Sequence, residues 1–141
     1  MKYAIGLDLG GSSIKYGLVS NKGDILQEGK IPSFADESSN RIIEQLLLAV
    51  DTVKEYATNN NIELCGIGIG TPGIVDQING VVLGGAENLK GWENIPLGDI
   101  ISKHSGLKVW VNNDANVMGL AETRFGIAKG CTDVVFLTVG T

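Results

Sequence analysis

The sequence predicts an α/β fold, in which a mixed sheet begins with a three-strand antiparallel meander and has helices packed against it. Three observations lead to this class. Residues 2–31 alternate apolar and polar side chains between turn signals, and residues 38–57 have helical spacing. The remainder alternates strand-like with helix-like segments, which favours parallel strands joined through helices.

The first three strands are predicted from alternation. In "KYAIGLDL", Leu7 and Leu9 fall on one face, while Gly6 and Asp8 fall on the other. The segments "SIKYGLVS" and "ILQEGKI" continue this pattern and are separated by the turn-forming "SNKGD". Together the three segments predict the meander.

The later elements follow from periodicity and from turn residues. "SSNRIIEQLLLAVDTVKEYA" predicts a helix with Asp36, Ser38 or Ser39 as its N-cap. "ELCGIGIGTPG" predicts a strand covered on both faces, because it is too rich in glycine for a surface strand. After it we expect a short helix in "IPLGDIISKHSG" ended by Gly106, a strand in "KVWVNND", a helix in "ANVMGLAETRFG" ended by Gly126, and a last strand in "DVVFLTV".

Length and composition exclude several classes of protein. The 141 residues suit one domain, and a net charge of −5 argues against a nucleic-acid partner. The sequence has no signal peptide and no apolar run long enough to span a membrane, so we expect a cytoplasmic protein without a membrane partner. Cys65 and Cys131 lack metal-site spacing and are expected to be reduced thiols in the core.

Asp8 and the glycines after it form the first candidate site. Asp8 lies near the end of the first strand, just before Gly10 and Gly11, whose bare backbone N–H groups could surround a phosphate. The hydroxyls of Ser12 and Ser13 add donors. A carboxylate beside a polyphosphate needs a cation between them, and Mg²⁺ prefers oxygen ligands. The same residues suit a turn-capping aspartate before a hairpin, so the pattern leaves both interpretations open.

A second candidate site follows the strand in "VNNDANVMGLAE". Asn and Asp are favoured caps at the start of a helix, and this local explanation is the simpler one. Capping does not explain why four such side chains occur together, whereas a polyhydroxylated ligand would use several donors and acceptors. These side chains are Asn112, Asn113, Asp114 and Asn116.

Other polar and aromatic residues have ordinary structural explanations. Asp76 could begin a turn, and Asn88 could adopt a left-handed conformation or contact a ligand. Trp92 is expected to anchor the core, and His104 to lie at the end of a helix rather than to bind a metal.

In their order along the chain, "GLDLGGSSIKYGLV", "GIGIGTPGIVD", "ENLKGW", "VNNDANVMGLAE" and "VVFLTVGT" resemble the ROK family, which contains bacterial sugar kinases and sugar-responsive repressors. The resemblance implies an actin-like, ribonuclease H-like ATPase fold of two lobes with the active site between them. Residues 1–141 look like the N-terminal lobe, and the C-terminal lobe would lie beyond Thr141.

The resemblance also implies roles for individual residues. Asp114 would be the catalytic base. The two phosphate motifs, which would bind ATP with Mg²⁺, comprise Asp8, Gly10, Gly11 and Ser12 in the first, and Gly140 and Thr141 in the second. The sugar contacts comprise Gly73, Asn88, Asn113 and Asp114. Ser12 stands where the family usually has Thr, and Glu87 where Pro is common.

The implied function is ATP-dependent phosphorylation of a hexose hydroxyl, with glucose as the first expected substrate. The family's zinc site, adenosine pocket and remaining sugar contacts would lie in the C-terminal lobe, so residues 1–141 alone are expected to be inactive. The full-length protein is expected to be a homodimer. The alternatives are a sugar-responsive regulator, which would normally carry a DNA-binding segment before the first strand, and another actin-like ATPase lobe.

Overall fold

The computed structural model describes residues 1–139, and a five-stranded mixed sheet lies at their centre. The five strands are β1 (Tyr3–Leu9), β2 (Ser13–Ser20), β3 (Ile25–Pro32), β4 (Leu64–Thr71) and β7 (Val109–Asn113). Their order in the sheet is β3-β2-β1-β4-β7. The first three strands pair antiparallel, and β4 and β7 run parallel to β1, as the sequence predicts.

Three helices accompany the sheet: α1 (Ser39–Asn59), α2 (Leu97–Ser105) and α3 (Asp114–Arg124). Ser38 is the N-cap of α1, and its hydroxyl accepts a hydrogen bond from Arg41 N at 3.2 Å. Gly106 ends α2 in the left-handed conformation at φ 73°, which glycine adopts without steric strain. Both boundaries agree with the sequence prediction.

The core lies between the sheet and the helices α1 and α2. Ile5, Leu7 and Leu9 of β1 are buried, as are Ile67 and Ile69 of β4. Asp8 points to the other face and is exposed. The prediction from period-2 alternation in β1, with Leu7 and Leu9 on one face and Asp8 on the other, is therefore confirmed.

The opposite face of the sheet is only partly covered in the described residues. The prediction that β4 is covered on both faces therefore holds at Gly70, which is buried under the start of α3, and is wrong at Gly68, which is exposed. A Cβ atom added to Gly68 would have no neighbour within 4 Å. Trp110 of β7 is 52% exposed and lies over Gly66. The physical reason is that α1 and α2 contribute their buried residues to the same core, on the other side of the sheet.

A small hairpin was not predicted. Strands β5 (Ile74–Asp76) and β6 (Val81–Gly84) form a separate two-stranded sheet. The Asp76 carboxylate holds their turn by accepting hydrogen bonds from Ile78 N at 3.0 Å and Asn79 Nδ2 at 2.7 Å. The bond from the Asn79 side chain lowers the pKa of Asp76. Asp76 therefore stabilises the turn between β5 and β6.

Two further expectations are wrong. Residues 133–139 form no strand in the described structure: no strand of residues 1–139 pairs with this segment, and a strand needs a partner for its backbone groups. Cys65 and Cys131 are both exposed, so neither is a core thiol. Cys65 lies near the start of β4, and Cys131 follows α3.

Within residues 1–139, no helix combines the length and the apolar character that crossing a membrane requires.

Candidate functional site

The candidate site lies at the edge of the sheet where the parallel strands β1, β4 and β7 end. In the register, Asp8 of β1 is opposite Gly70 of β4, and Gly70 is opposite Asn112 of β7. The chain leaves β1 toward β2 on one side and returns through α1 to β4 on the other. Ligands of open α/β sheets bind beyond the carboxyl ends of the strands at such a point of reversal.

Asp8 and Asp114 line the same cavity, which has a volume of about 390 Å³. Gly70 lies between them and also lines it. A Cβ atom on Gly70 would come 3.4 Å from Asp114 Cα, so the absence of a side chain there lets the start of α3 lie close to β4. The fold thus brings together two carboxylates that are 106 positions apart in sequence.

The environment of Asp8 is electrostatically unfavourable for its charged form. Partial burial of the carboxylate in the cavity raises the pKa of Asp8 although the residue remains solvent-accessible. Lys15 lowers this pKa, and the Asp114 carboxylate raises it. Lys15 is the cross-strand partner of Asp8 on β2. A cation bound in this cavity would relieve the repulsion between the two carboxylates.

We predict that Asp8→Asn stabilises the ligand-free protein at pH 7. Because the pKa of Asp8 is raised by folding, the folded state binds the proton more tightly than the unfolded chain, and ionisation opposes folding above the unfolded pKa. We expect the apparent Tm to rise by roughly 2 °C, since the carboxylate is partly exposed and screened. The gain should shrink as the pH falls and the wild-type carboxyl becomes protonated. Thermal melts from pH 7 to pH 3 measure it.

The matched control is Glu55→Gln, which removes an exposed carboxylate from α1, away from the cavity. Its effect on Tm should be smaller than that of Asp8→Asn. A lower Tm for Asp8→Asn at pH 7 would contradict the electrostatic argument.

The hairpin that joins β1 to β2 is closed by backbone contacts. Gly10 N donates to Ser13 O at 2.9 Å, and Ser33 N at the end of β3 donates to Ser12 O at 3.1 Å. A Cβ atom on Gly10 would lie 3.1 Å from Ser13 O, so the turn favours glycine there, and a larger residue would require a small shift of the backbone. Gly11 and Ser12 are exposed at the tip. The hairpin therefore presents bare backbone beside Asp8, as a phosphate site requires.

Asn113 caps α3, so the capping interpretation is confirmed for this residue. Its Oδ1 accepts from Ala115 N at 3.0 Å, and its Nδ2 donates to Gly73 O at 2.8 Å. Asn112 Oδ1 accepts from Asn116 Nδ2 at 3.2 Å. The asparagines therefore hold the start of α3 and join it to the turn at Gly73. Their role toward a ligand stays a prediction.

Asp114 is the first residue of α3, where the positive end of the helix dipole stabilises a negative charge. Its Oδ1 accepts from Ala115 N at 2.9 Å. One carboxylate oxygen is thus oriented by the helix while the side chain lines the cavity. Such a group can accept a hydrogen bond, and then a proton, from a hydroxyl placed there.

Gly73 occupies a conformation that other residues rarely adopt. Its φ is +96°, and an added Cβ atom would lie 2.5 Å from Gly84 O and 3.4 Å from Ala86 Cβ. The turn after β4 therefore packs directly against the end of β6 and the loop that follows it.

Residues 86–92, which we call the 86–92 loop, are fixed to the domain at several points. Trp92 is 2% exposed, and its Nε1 donates to the buried Thr71 Oγ1 at 2.8 Å, so Trp92 is an anchor as predicted. Leu89 is also buried, and Lys90 N donates to Ala35 O at 2.8 Å. Asn88 is exposed and lies against Gly11 of the hairpin.

The other sequence-predicted residues have simpler outcomes. His104 lies in the last turn of α2, as expected, with Nε2 2.8 Å from Asp51 Oδ1. Gly140 and Thr141, the predicted start of a second phosphate motif, lie outside the described residues. The contact between Asn88 and Gly11 was not foreseen, because no sequence signal joins residues so far apart.

The carboxylates of the cavity could bind a metal ion only together with other ligands. Residues 1–139 contain no group of three or more His, Cys, Asp or Glu side chains able to hold a metal by themselves. Two carboxylates, those of Asp8 and Asp114, line the cavity. Mg²⁺ is usually bound by one or two carboxylates together with phosphate oxygens and water. The donor set therefore suits Mg²⁺ bound with a polyphosphate.

Comparison with known proteins gives consistent matches. A model described as the ROK family matches residues 4–141. A glucokinase of Thermotoga maritima is 36% identical over 97% of this chain and 41% of its own length. A xylose repressor of Caldicellulosiruptor bescii is 33% identical over 96% of this chain and 34% of its own length.

A solved structure agrees in fold as well as in sequence. It is a ROK family glucokinase from Streptomyces griseus in complex with glucose and AMPPNP, with a TM-score of 0.79 and 32% identity. The alignment covers 91% of this chain and 38% of that one. The chain therefore spans about two fifths of the length of the glucokinases it matches.

Proposed function

We propose a function for this chain from one premise: it belongs to the ROK family. Its mixed sheet with flanking helices is the actin-like ATPase fold of the ROK sugar kinases. The full-length protein then phosphorylates a hexose hydroxyl with ATP, and glucose is the first substrate to test. The observation that carries this proposal is the cavity shared by Asp8 and Asp114.

The proposed phosphate site is the β1–β2 hairpin with the carboxylate beside it. Asp8 would hold the Mg²⁺ of the nucleotide, directly or through water, and the bound ion would supply charge neutralisation on the phosphates. The bare backbone at the tip of the hairpin surrounds the phosphate oxygens. The residues assigned to ATP are Asp8, Gly10, Gly11, Ser12, Gly140 and Thr141.

The proposed sugar site is the neighbouring edge formed by the start of α3 and two loops. Asn113 holds the cap of α3 and the turn at Gly73 in one arrangement through its two side-chain hydrogen bonds. This preorganisation fixes donors and acceptors before a sugar binds. The residues assigned to the sugar are Gly73, Asn88, Asn113 and Asp114.

Asp114 acts as the base in the proposed reaction. The sugar hydroxyl oxygen forms a bond to the γ-phosphorus of ATP while the bond from that phosphorus to the leaving ADP oxygen breaks. The hydroxyl proton passes to the Asp114 carboxylate. Because the transition state of phosphoryl transfer is loose, positioning of the hydroxyl and neutralisation of charge supply most of the rate.

We propose that residues 1–141 are the N-terminal lobe of a two-lobe protein. The open face of the sheet and the exposed residues 133–139 support this, because a separate domain rarely leaves so much apolar surface uncovered. The similarity of the chain to only part of each glucokinase agrees with it. We further propose a cytoplasmic, dimeric full-length protein.

The direct test is an assay of the full-length protein with ATP and Mg²⁺ across a hexose panel. The panel comprises glucose, fructose, allose, N-acetylglucosamine and N-acetylmannosamine. We expect ADP formation that depends on one or a few of these sugars, and no turnover by residues 1–141 alone. Absence of sugar-dependent ADP formation on the whole panel would contradict the proposal.

The second candidate function is a sugar-responsive regulator. The 33% identity to a xylose repressor favours it. A regulator would bind a sugar without producing ADP, whereas a kinase would do both. Another actin-like ATPase lobe would hydrolyse ATP without any dependence on sugar, so the same assay separates the three.

A further inference from the structure

The 86–92 loop contacts both proposed subsites, and this suggests how they communicate. At its start, Ala86 Cβ would lie 3.4 Å from a Cβ atom on Gly73, which belongs to the sugar side. Two residues later, Asn88 lies against Gly11 at the tip of the phosphate hairpin. The loop therefore bridges two parts of the site that are distant in sequence.

The side chain of Asn88 lies close to the backbone of Gly11. A Cβ atom on Gly11 would lie 2.9 Å from Asn88 Nδ2, a separation that real Cβ atoms essentially never show. Gly11 does not have a positive φ, so its backbone conformation does not itself require glycine. An alanine at position 11 would therefore require the exposed Asn88 amide to move, while the backbone could stay in place.

The 86–92 loop cannot easily move aside. Trp92 is hydrogen-bonded to Thr71 in the core, Leu89 is buried, and Lys90 is bonded to Ala35. A displacement of the hairpin tip toward the loop must therefore be taken up by the exposed Asn88 side chain. Conversely, an Asn88 side chain fixed by a ligand limits where the hairpin tip can lie.

We infer that Asn88 is a positioning residue that couples occupation of the phosphate hairpin to binding of the sugar. The inference rests on the proposed function and adds a mechanism to it. When a phosphate occupies the hairpin and holds its tip in place, Gly11 limits the Asn88 amide to the orientation that binds the sugar. Because coupling between two sites is reciprocal, sugar bound to Asn88 strengthens nucleotide binding by the same factor.

The experiment uses the full-length protein and the hexose that it accepts as a substrate. It measures the dissociation constant of that unphosphorylated sugar with and without AMPPNP and Mg²⁺. We expect AMPPNP to strengthen sugar binding by roughly 5- to 50-fold in the wild type. In Asn88→Ala this enhancement should fall to less than about 2-fold, with an unchanged Tm because Asn88 is exposed.

A double-mutant cycle tests the route of the coupling. Gly11→Ala pushes the Asn88 amide away and should weaken sugar binding about 10-fold, although Gly11 belongs to the phosphate hairpin. In the Asn88→Ala background, where the amide is absent, Gly11→Ala should change sugar binding by less than 2-fold. A mainly structural role for Asn88 would not produce this dependence.

Gly10→Ala is the matched control. Its added Cβ atom would meet the backbone oxygen of Ser13 at 3.1 Å rather than the side chain of Asn88. Any effect of Gly10→Ala on binding should therefore be the same with Asn88 and with Ala at position 88.

The outcomes distinguish this inference from the proposed function. If the wild type phosphorylates a hexose but Asn88→Ala keeps the full enhancement, the coupling is wrong and the kinase assignment stands. Additive effects of Gly11→Ala and Asn88→Ala on sugar binding also overturn the coupling. If the wild type phosphorylates no hexose, the proposed function fails and the coupling fails with it.

Discussion

Replacing Asp114 with asparagine in the full-length protein is expected to lower kcat by about 10³-fold, the contribution typical of a general base. The affinity for the sugar should change by less than about 3-fold. Asparagine has nearly the same shape, and its Oδ1 can still accept the hydrogen bond from Ala115 N that orients Asp114. The variant therefore removes the proton acceptor and leaves the start of α3 intact. Steady-state kinetics and equilibrium sugar binding measure the two quantities.

Asp99→Asn is the matched control for this variant. Asp99 is likewise an acidic residue in the first turn of a helix, but that helix is α2, and the residue does not line the cavity. Its substitution should leave kcat within about 2-fold of the wild type. Turnover of Asp114→Asn within a few-fold of the wild type would refute Asp114 as the base. Loss of sugar binding together with turnover would instead assign it a binding role.

Local chemistry made most of the fold predictable from the sequence. Period-2 alternation placed Asp8 and Leu7 on opposite faces of β1, and Ser38 and Gly106 marked the ends of two helices. These features depend on neighbouring residues alone. The β5–β6 hairpin was missed because a strand of three residues shows too little alternation to be recognised.

The sequence allowed us to predict which residues belong to the candidate site. It did not allow us to predict the distances and contacts between them. That Asp8 and Asp114 share one cavity follows from the parallel register of β1, β4 and β7, which the order of elements only suggests. The Asn88–Gly11 contact depends on how the 86–92 loop is anchored in the core. Residues 133–139 were misjudged because strand propensity shows only that a segment could pair, and pairing also requires a neighbouring strand.

Gly73→Ala is expected to lower the free energy of unfolding by about 2–4 kcal/mol, which combines backbone strain with a steric clash. At φ +96°, an alanine is strained, and its Cβ atom would lie 2.5 Å from Gly84 O. Since the clash is with backbone, no side-chain rotation relieves it. The turn must shift and withdraw the carbonyl that accepts from Asn113 Nδ2. We therefore also expect the KM for the sugar to rise by about 10-fold.

Two other glycines separate the contributions to this effect. Gly68→Ala adds a Cβ atom with no neighbour within 4 Å at a position without a positive φ. It should not destabilise the fold and should stabilise it by up to about 1 kcal/mol, because alanine restricts the unfolded chain. At Gly106→Ala the φ is +73° and an added Cβ atom has no neighbour within 4 Å, so this variant measures backbone strain alone, about 1–2 kcal/mol. Thermal or denaturant unfolding should rank Gly73→Ala as the most destabilising of the three variants.

The outcome that contradicts the prediction combines two results. If Gly73→Ala is no less stable than Gly106→Ala, and if its KM for the sugar equals that of the wild type, the turn at Gly73 does not support the sugar site. A rise in KM for Gly73→Ala alone would show that one backbone contact, from the end of β6 to this turn, keeps Asn113 and the start of α3 in place.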